Sequence, residues 1–115
     1  MQERMPYINL EDGLKRVRGN KALYAKMLAL FLGNKEMDML EEKLAGGDLE
    51  GAAAVAHAIK GMTGNLSLTE LFAASTALLE SLSSGRREED LIARYREAAQ
   101  KTLEAAKELE AELKA

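Results

Sequence analysis

Leu66-Ser67-Leu68-Thr69-Glu70-Leu71 organises the reading of this sequence. Ser67 and Glu70 have capping-box spacing, in which hydroxyl and carboxylate satisfy each other's free backbone N–H groups at a helix start. Leu66 can staple onto Leu71 across it, so one helix ends before this point and another begins at it. Forward, Leu68, Leu71, Phe72, Ser75, Leu78, Leu79 and Leu82 form an apolar stripe that Ser83-Ser84-Gly85 closes. Backward, Leu49, Ala52, Val55, Ala56, Ile59, Met62, Thr63 and Leu66 form another, behind Asp48 as N-cap.

The same periodicity continues outward in both directions. A last helix begins near Glu88, with Leu91, Ile92, Tyr95, Ala98, Thr102, Leu103, Ala106 and Leu109 on its buried stripe; Arg94, Arg96, Glu97, Lys101, Glu104, Lys107 and Glu108 lie on its wet face. Toward the N-terminus, Leu10, Leu14 and Val17 mark a short first helix. Asn20 then caps a longer one whose apolar face runs Leu23, Met27, Leu30, Phe31, Met37, Leu40 and Leu44, with Gly33-Asn34 kinking or splitting it. Long amphipathic helices with short connections pack most simply as an antiparallel bundle. The expected fold is therefore all-α: an up-down four-helix bundle with an additional short N-terminal helix covering one end, residues 1–115 making a single domain.

Composition agrees with that class and closes several others. Leu and Ala each occur 19 times in the 115 residues, whereas Val and Ile together number 5, a balance that favours helix over sheet. With no cysteine, disulfides, thiolate zinc sites and cysteine nucleophiles are excluded. Net charge is −3 and the basic residues are scattered, which argues against a nucleic-acid surface. No apolar stretch approaches the roughly 20 residues that span a bilayer, and Met1-Gln2-Glu3-Arg4-Met5-Pro6 leads into no signal core, so no membrane role and a cytoplasmic location are expected.

His57 is the one histidine, and with no cysteine or tryptophan it is the first place to look for chemistry. At about 100° per residue it points roughly 160° away from the apolar centre of its helix, into water. Its neighbours at helical spacing are Ala53, Ala54, Lys60, Gly61 and Gly64, so all but Lys60 have almost no side chain. A solvated surface histidine is the plain alternative. Against it, glycine inside a helix costs about 1 kcal/mol relative to alanine, and a docking partner would need the space. Gly64 has another reading, as a helix-ending residue before Asn65; Gly61 does not. Lys60, one turn from the imidazole, can be an ordinary solvated charge or can reach an anion held on the ring. Imidazole is mostly neutral near pH 7 by its ordinary pKa of about 6.5, and neutral imidazole is a competent nucleophile toward phosphorus. No serine–histidine–carboxylate arrangement and no metal-ligand spacing surround it.

The run Ala56-His57-Ala58-Ile59-Lys60-Gly61-Met62-Thr63-Gly64-Asn65-Leu66 resembles the signature of histidine-containing phosphotransfer (HPt) domains of bacterial two-component phosphorelays. Upstream, Gly13-Leu14-Lys15-Arg16-Val17-Arg18-Gly19-Asn20-Lys21-Ala22-Leu23-Tyr24 is similar to the segment that these domains often carry before it, so the resemblance extends over essentially the whole chain. It departs at Ser67, where many members have glycine, and at Met62, bulkier than the usual small residue.

The resemblance implies that His57 accepts a phosphoryl group on its outer ring nitrogen from a receiver-domain aspartyl phosphate or a kinase, and relays it to a response regulator. Lys60 then assists electrostatically, and Ala53, Ala54, Gly61 and Gly64 form the docking floor. The implied partners are response-regulator receiver domains and a sensor or hybrid histidine kinase. No cofactor is expected on this chain, magnesium belonging to the partner receiver. It is a carrier more than an enzyme, and a monomer is the simplest expectation. The rivals are a helical interaction module in which His57 is incidental and the phosphotransfer domain of a chemotaxis kinase. Met1 and the lack of a linker point to a freestanding protein, although a domain cut from a hybrid kinase would look the same.

Overall fold

Side-chain caps set where the helices begin. Asn9 accepts a hydrogen bond from the Asp12 backbone N–H at 3.1 Å to open α1 (Leu10–Arg16), and Asn20 accepts one from Leu23 at 3.0 Å to open α2 (Lys21–Leu32). Gly33 ends α2, and Asn34 accepts from the Met37 N–H at 3.2 Å just ahead of α3 (Glu36–Ala45). Asp48 accepts from the Gly51 N–H at 2.8 Å and opens α4 (Leu49–Leu66). Two further helices, α5 (Thr69–Ser83) and α6 (Glu89–Lys114), complete the all-α chain. This computed structural model describes residues 5–115; residues 1–4 of the expected single domain lie outside the described residues.

Gly33-Asn34 thus splits the expected second helix into α2 and α3. α4 lies centrally: it packs most extensively on α5 and next on α3, while α6 packs on α5 and α2. Tyr24, Phe31, Leu40, Ile59, Leu78 and Ile92 are among the core side chains with essentially no exposed surface. A fully buried Leu, Ile or Phe contributes about 1.5–3 kcal/mol.

Two expectations are corrected. The apolar face expected for α2 is rotated: Phe31 is buried and Met27 partly buried as expected, but Tyr24 and Leu28 take the places expected for Leu23 and Leu30. Leu30 is 71% exposed and Leu23 is 42% exposed, while Tyr24, Ala25, Leu28 and Phe31 are buried. Leu23-Met27-Leu30 and Tyr24-Leu28-Phe31 have the same i, i+4, i+7 spacing about 100° apart, so periodicity admits either, and packing on α6 selects the one with the larger aromatic residues.

The capping box does not form. α5 begins at Thr69 behind Leu68, which makes no side-chain cap, and Ser67 instead ends α4 in the left-handed conformation, φ 59°. The Ser67 and Leu68 N–H groups bond back to the Gly64 and Thr63 carbonyls, closing α4 first. Ser67 is thereby turned toward α1. The Glu70 carboxylate goes to Arg94 rather than back to the helix start.

α1 rests on the bundle through Gly13. A Cβ there would come 2.6 Å from the Tyr24 ring, so glycine is what lets the helix lie flat on it. Tyr24 in turn donates its hydroxyl to the Leu66 carbonyl at 2.6 Å, tying α2 to the end of α4, and burial pushes its pKa up to about 12.

Within α6 the Thr102 hydroxyl is fully buried without a hydrogen-bond partner among the described residues. Thr102→Val keeps the shape and removes the desolvated hydroxyl, so it is expected to stabilise the fold by about 1 kcal/mol. Chemical denaturation of the two proteins side by side checks this; a lower midpoint for the variant contradicts it.

Candidate functional site

His57 is exposed midway along α4, opposite the buried Ala52, Val55, Ala56 and Ile59. One turn on, Lys60 is half-buried, and its ammonium makes no ion pair with any described residue. No hydroxyl or carboxylate among the described residues hydrogen-bonds the imidazole either. The site therefore presents a nucleophilic ring nitrogen and a nearby cation, both open to an incoming group.

The two glycines beside them differ. A Cβ on Gly61 would meet nothing within 4 Å, so the surface there is open. A Cβ on Gly64 would come 3.1 Å from the Phe72 ring, so Gly64 is small because α5 packs a phenyl group over it. The helix-ending alternative for Gly64 is thereby set aside: α4 continues to Leu66 and the left-handed residue is Ser67.

His57, Lys60, Gly61 and Gly64 share one groove of about 470 Å³ between α4, α5 and α1. Ala53 and Ala54, also expected on the docking floor, do not line it. They lie on the preceding turns of α4, Ala53 half-buried and Ala54 exposed.

The other lining residues were not legible as site residues. Phe72, expected on the α5 core stripe, is 38% exposed and forms a wall. Asp12, Arg16 and Ser67 close the far end. The Ser67 hydroxyl donates to Asp12 Oδ2 at 2.5 Å, and Arg16 Nε donates both to Ser67 Oγ and to Asp12 Oδ2 at 3.1 Å. The Asp12–Arg16 spacing reads as a helical ion pair, but nothing local announces the third member, 51 residues beyond Arg16. A serine in the left-handed region costs about 1–2 kcal/mol that glycine would not, and these two bonds offset part of it.

Hydrogen bonds from Ser67 first and Arg16 second hold the Asp12 carboxyl below its ordinary pKa. With the folded value depressed, this contribution is complete above the ordinary carboxylate range and fades as pH falls through it.

Among the described residues no group of three or more His, Cys, Asp or Glu side chains is placed to hold a metal ion, and no helix is long and apolar enough to cross a membrane. No match is found among curated proteins or solved structures. The family model of the Hpt domain matches residues 26–115, a region that holds His57, Lys60, Gly61 and Gly64 and leaves Asp12 and Arg16 outside. An exposed histidine at the centre of an all-helical chain and a family match over most of its length agree: this chain belongs to the Hpt domain family.

Proposed function

We propose that His57 is the phosphoryl carrier of a phosphorelay, in line with the general role of Hpt domains in histidine phosphotransfer. One observation carries the assignment: the imidazole stands exposed beside a glycine with nothing within 4 Å of its missing side chain, which is the space an approaching protein surface requires. The neutral ring donates its outer nitrogen's lone pair to the phosphorus of a receiver-domain aspartyl phosphate or a kinase phosphohistidine. An N–P bond forms in line as the bond to the donor breaks, and the leaving carboxylate or imidazole takes the electron pair. The other ring nitrogen keeps its proton until the product loses it to water. Lys60 stabilises the charge on the phosphoryl oxygens. Reversal onto a response regulator returns His57 to its starting state.

In this reading α2 and α3 together make one arm of an antiparallel up-down four-helix bundle, and α1 covers an end. Gly61 and Gly64 form the docking floor within the groove, Ala53 and Ala54 extend it along the preceding turns of α4 outside the groove, and magnesium is supplied by the partner receiver rather than bound here. The protein works as a cytoplasmic monomer, a carrier rather than an autonomous catalyst.

Incubation with a phosphorylated receiver should place acid-labile, alkali-stable label on this chain. Absence of such label leaves a helical interaction module as the better account. In the same assay Lys60→Ala removes charge but keeps the nucleophile, so transfer should slow by about 10- to 100-fold without a change in melting temperature. Unchanged transfer at sub-saturating partner would reduce Lys60 to a solvated charge.

A further inference from the structure

We propose that Arg16 is a specificity-determining residue for the receiver partner, a cation that α1 holds at the far end of the groove to engage a carboxylate side chain on the docked protein. This inference rests on the phosphotransfer reading and adds a second point of contact to it.

The argument begins with distance. Ser67, which caps the C-terminus of α4, lies ten residues beyond His57, about 15 Å along the helix axis at roughly 1.5 Å per residue. Arg16, anchored on Ser67, is held at the other end of α4 from His57, yet both line one continuous groove. Any protein surface that brings an aspartate to His57 along this face also covers the groove's far end.

Charge comes next. The chain is acidic, with a net charge of −3, but the groove holds two cations, Lys60 and Arg16, against one carboxylate, Asp12. That carboxylate is already engaged by Ser67 and Arg16. Arg16 makes both of its bonds through Nε, so neither consumes the outer edge of the guanidinium, where the two terminal nitrogens form a planar fork suited to a carboxylate.

Arg16 is also held in place. Asp12 and Ser67 fix its Nε from two elements, and the Asn9 N–H donates to the Ser67 carbonyl at 3.0 Å, pinning the start of α1 to the same residue. A side chain restrained before binding loses less freedom on engagement than a free surface arginine. Asp12 and Arg16 lie on the N-terminal segment ahead of residues 26–115, the region the family model matches, so this wall is added by α1. The partner it fits is a receiver that presents an Asp or Glu side chain to the groove's far end when its phosphorylated aspartate faces His57.

The test separates small-donor chemistry from protein docking. The full chain and its Arg16→Gln, Arg16→Lys and Ser67→Gly variants are labelled with phosphoramidate, which needs no docking surface. Transfer from the labelled proteins is then timed against a panel of purified receiver domains in magnesium buffer at several salt concentrations.

For the receiver that the wild type serves fastest, Arg16→Gln should lower transfer about fivefold relative to labelling of the same preparation, and the loss should appear in KM. The rate should also depend less steeply on salt, and the spread across the panel should narrow. Arg16→Lys should recover part of the loss. Ser67→Gly, which relaxes the backbone but releases Arg16, should lose part of it with no fall in melting temperature. Transfer by Arg16→Gln within about twofold of wild type for every receiver overturns the proposal. So does a parallel loss of labelling and transfer, since α1 would then merely support the fold. A wild-type chain that phosphoramidate does not label on His57 fails at the earlier step and overturns the carrier assignment itself.

Discussion

His57→Gln is expected to abolish phosphoryl acceptance while leaving the protein folded. Glutamine has similar bulk and good helix propensity but no nitrogen lone pair able to attack phosphorus, so the loss should be complete rather than graded. The imidazole is exposed and hydrogen-bonds no described residue, so its removal should change stability by no more than about 0.5 kcal/mol. Thermal melting and labelling of one preparation test both halves. Label that persists on the variant ends the carrier assignment, whatever the melting curve shows.

Gly61→Gln should produce nearly as large a loss by a different route. The imidazole and Lys60 remain in place, but a side chain now rises from the open surface one turn away. There it keeps the receiver from bringing its aspartate to the in-line separation of roughly 3 Å, and a misplacement of about 1 Å can cost about 100-fold in rate. Because a Cβ at this position meets nothing within 4 Å, the helix itself should gain. Gly61→Ala is expected to stabilise by up to about 1 kcal/mol with transfer largely retained, whereas Gly61→Gln should melt no lower than wild type and transfer at least about 100-fold more slowly. Gly64 is not an equivalent control, since a Cβ there presses on the Phe72 ring. Wild-type transfer by Gly61→Gln means that no partner approaches this side of His57, and the steric reading of the small residues is then wrong.

What the sequence disclosed best was whatever a single helix decides for itself. Asn20 and Asp48 cap the helices they were expected to cap, because an N-cap needs only a short polar side chain and backbone N–H groups up to three residues ahead. The buried stripe of α6 from Ile92 to Leu109 and the exposure of His57 follow from the 3.6-residue period alone, on helices whose apolar face has one clear direction. The glycines around His57 could be recognised as costly to the helix for the same local reason.

Wherever two local solutions were nearly equal, the tertiary structure chose. Apolar residues on adjacent stripes of α2 left its face ambiguous, and packing against α6 buried Tyr24 and Leu28 beside the expected Phe31 while leaving Leu23 and Leu30 in water. Ser67 had the spacing of a cap, yet the closing turn of α4 claimed its backbone and aimed its hydroxyl across to Asp12 and Arg16. The far wall of the groove depends on a contact between residues 55 positions apart, Asp12 and Ser67, and Phe72 became a groove wall only when α5 was laid beside Gly64. Periodicity and capping act over a few residues and so are written in the sequence; which of two competing faces is buried, and which polar groups meet across helices, depends on the free energy of the whole packed bundle.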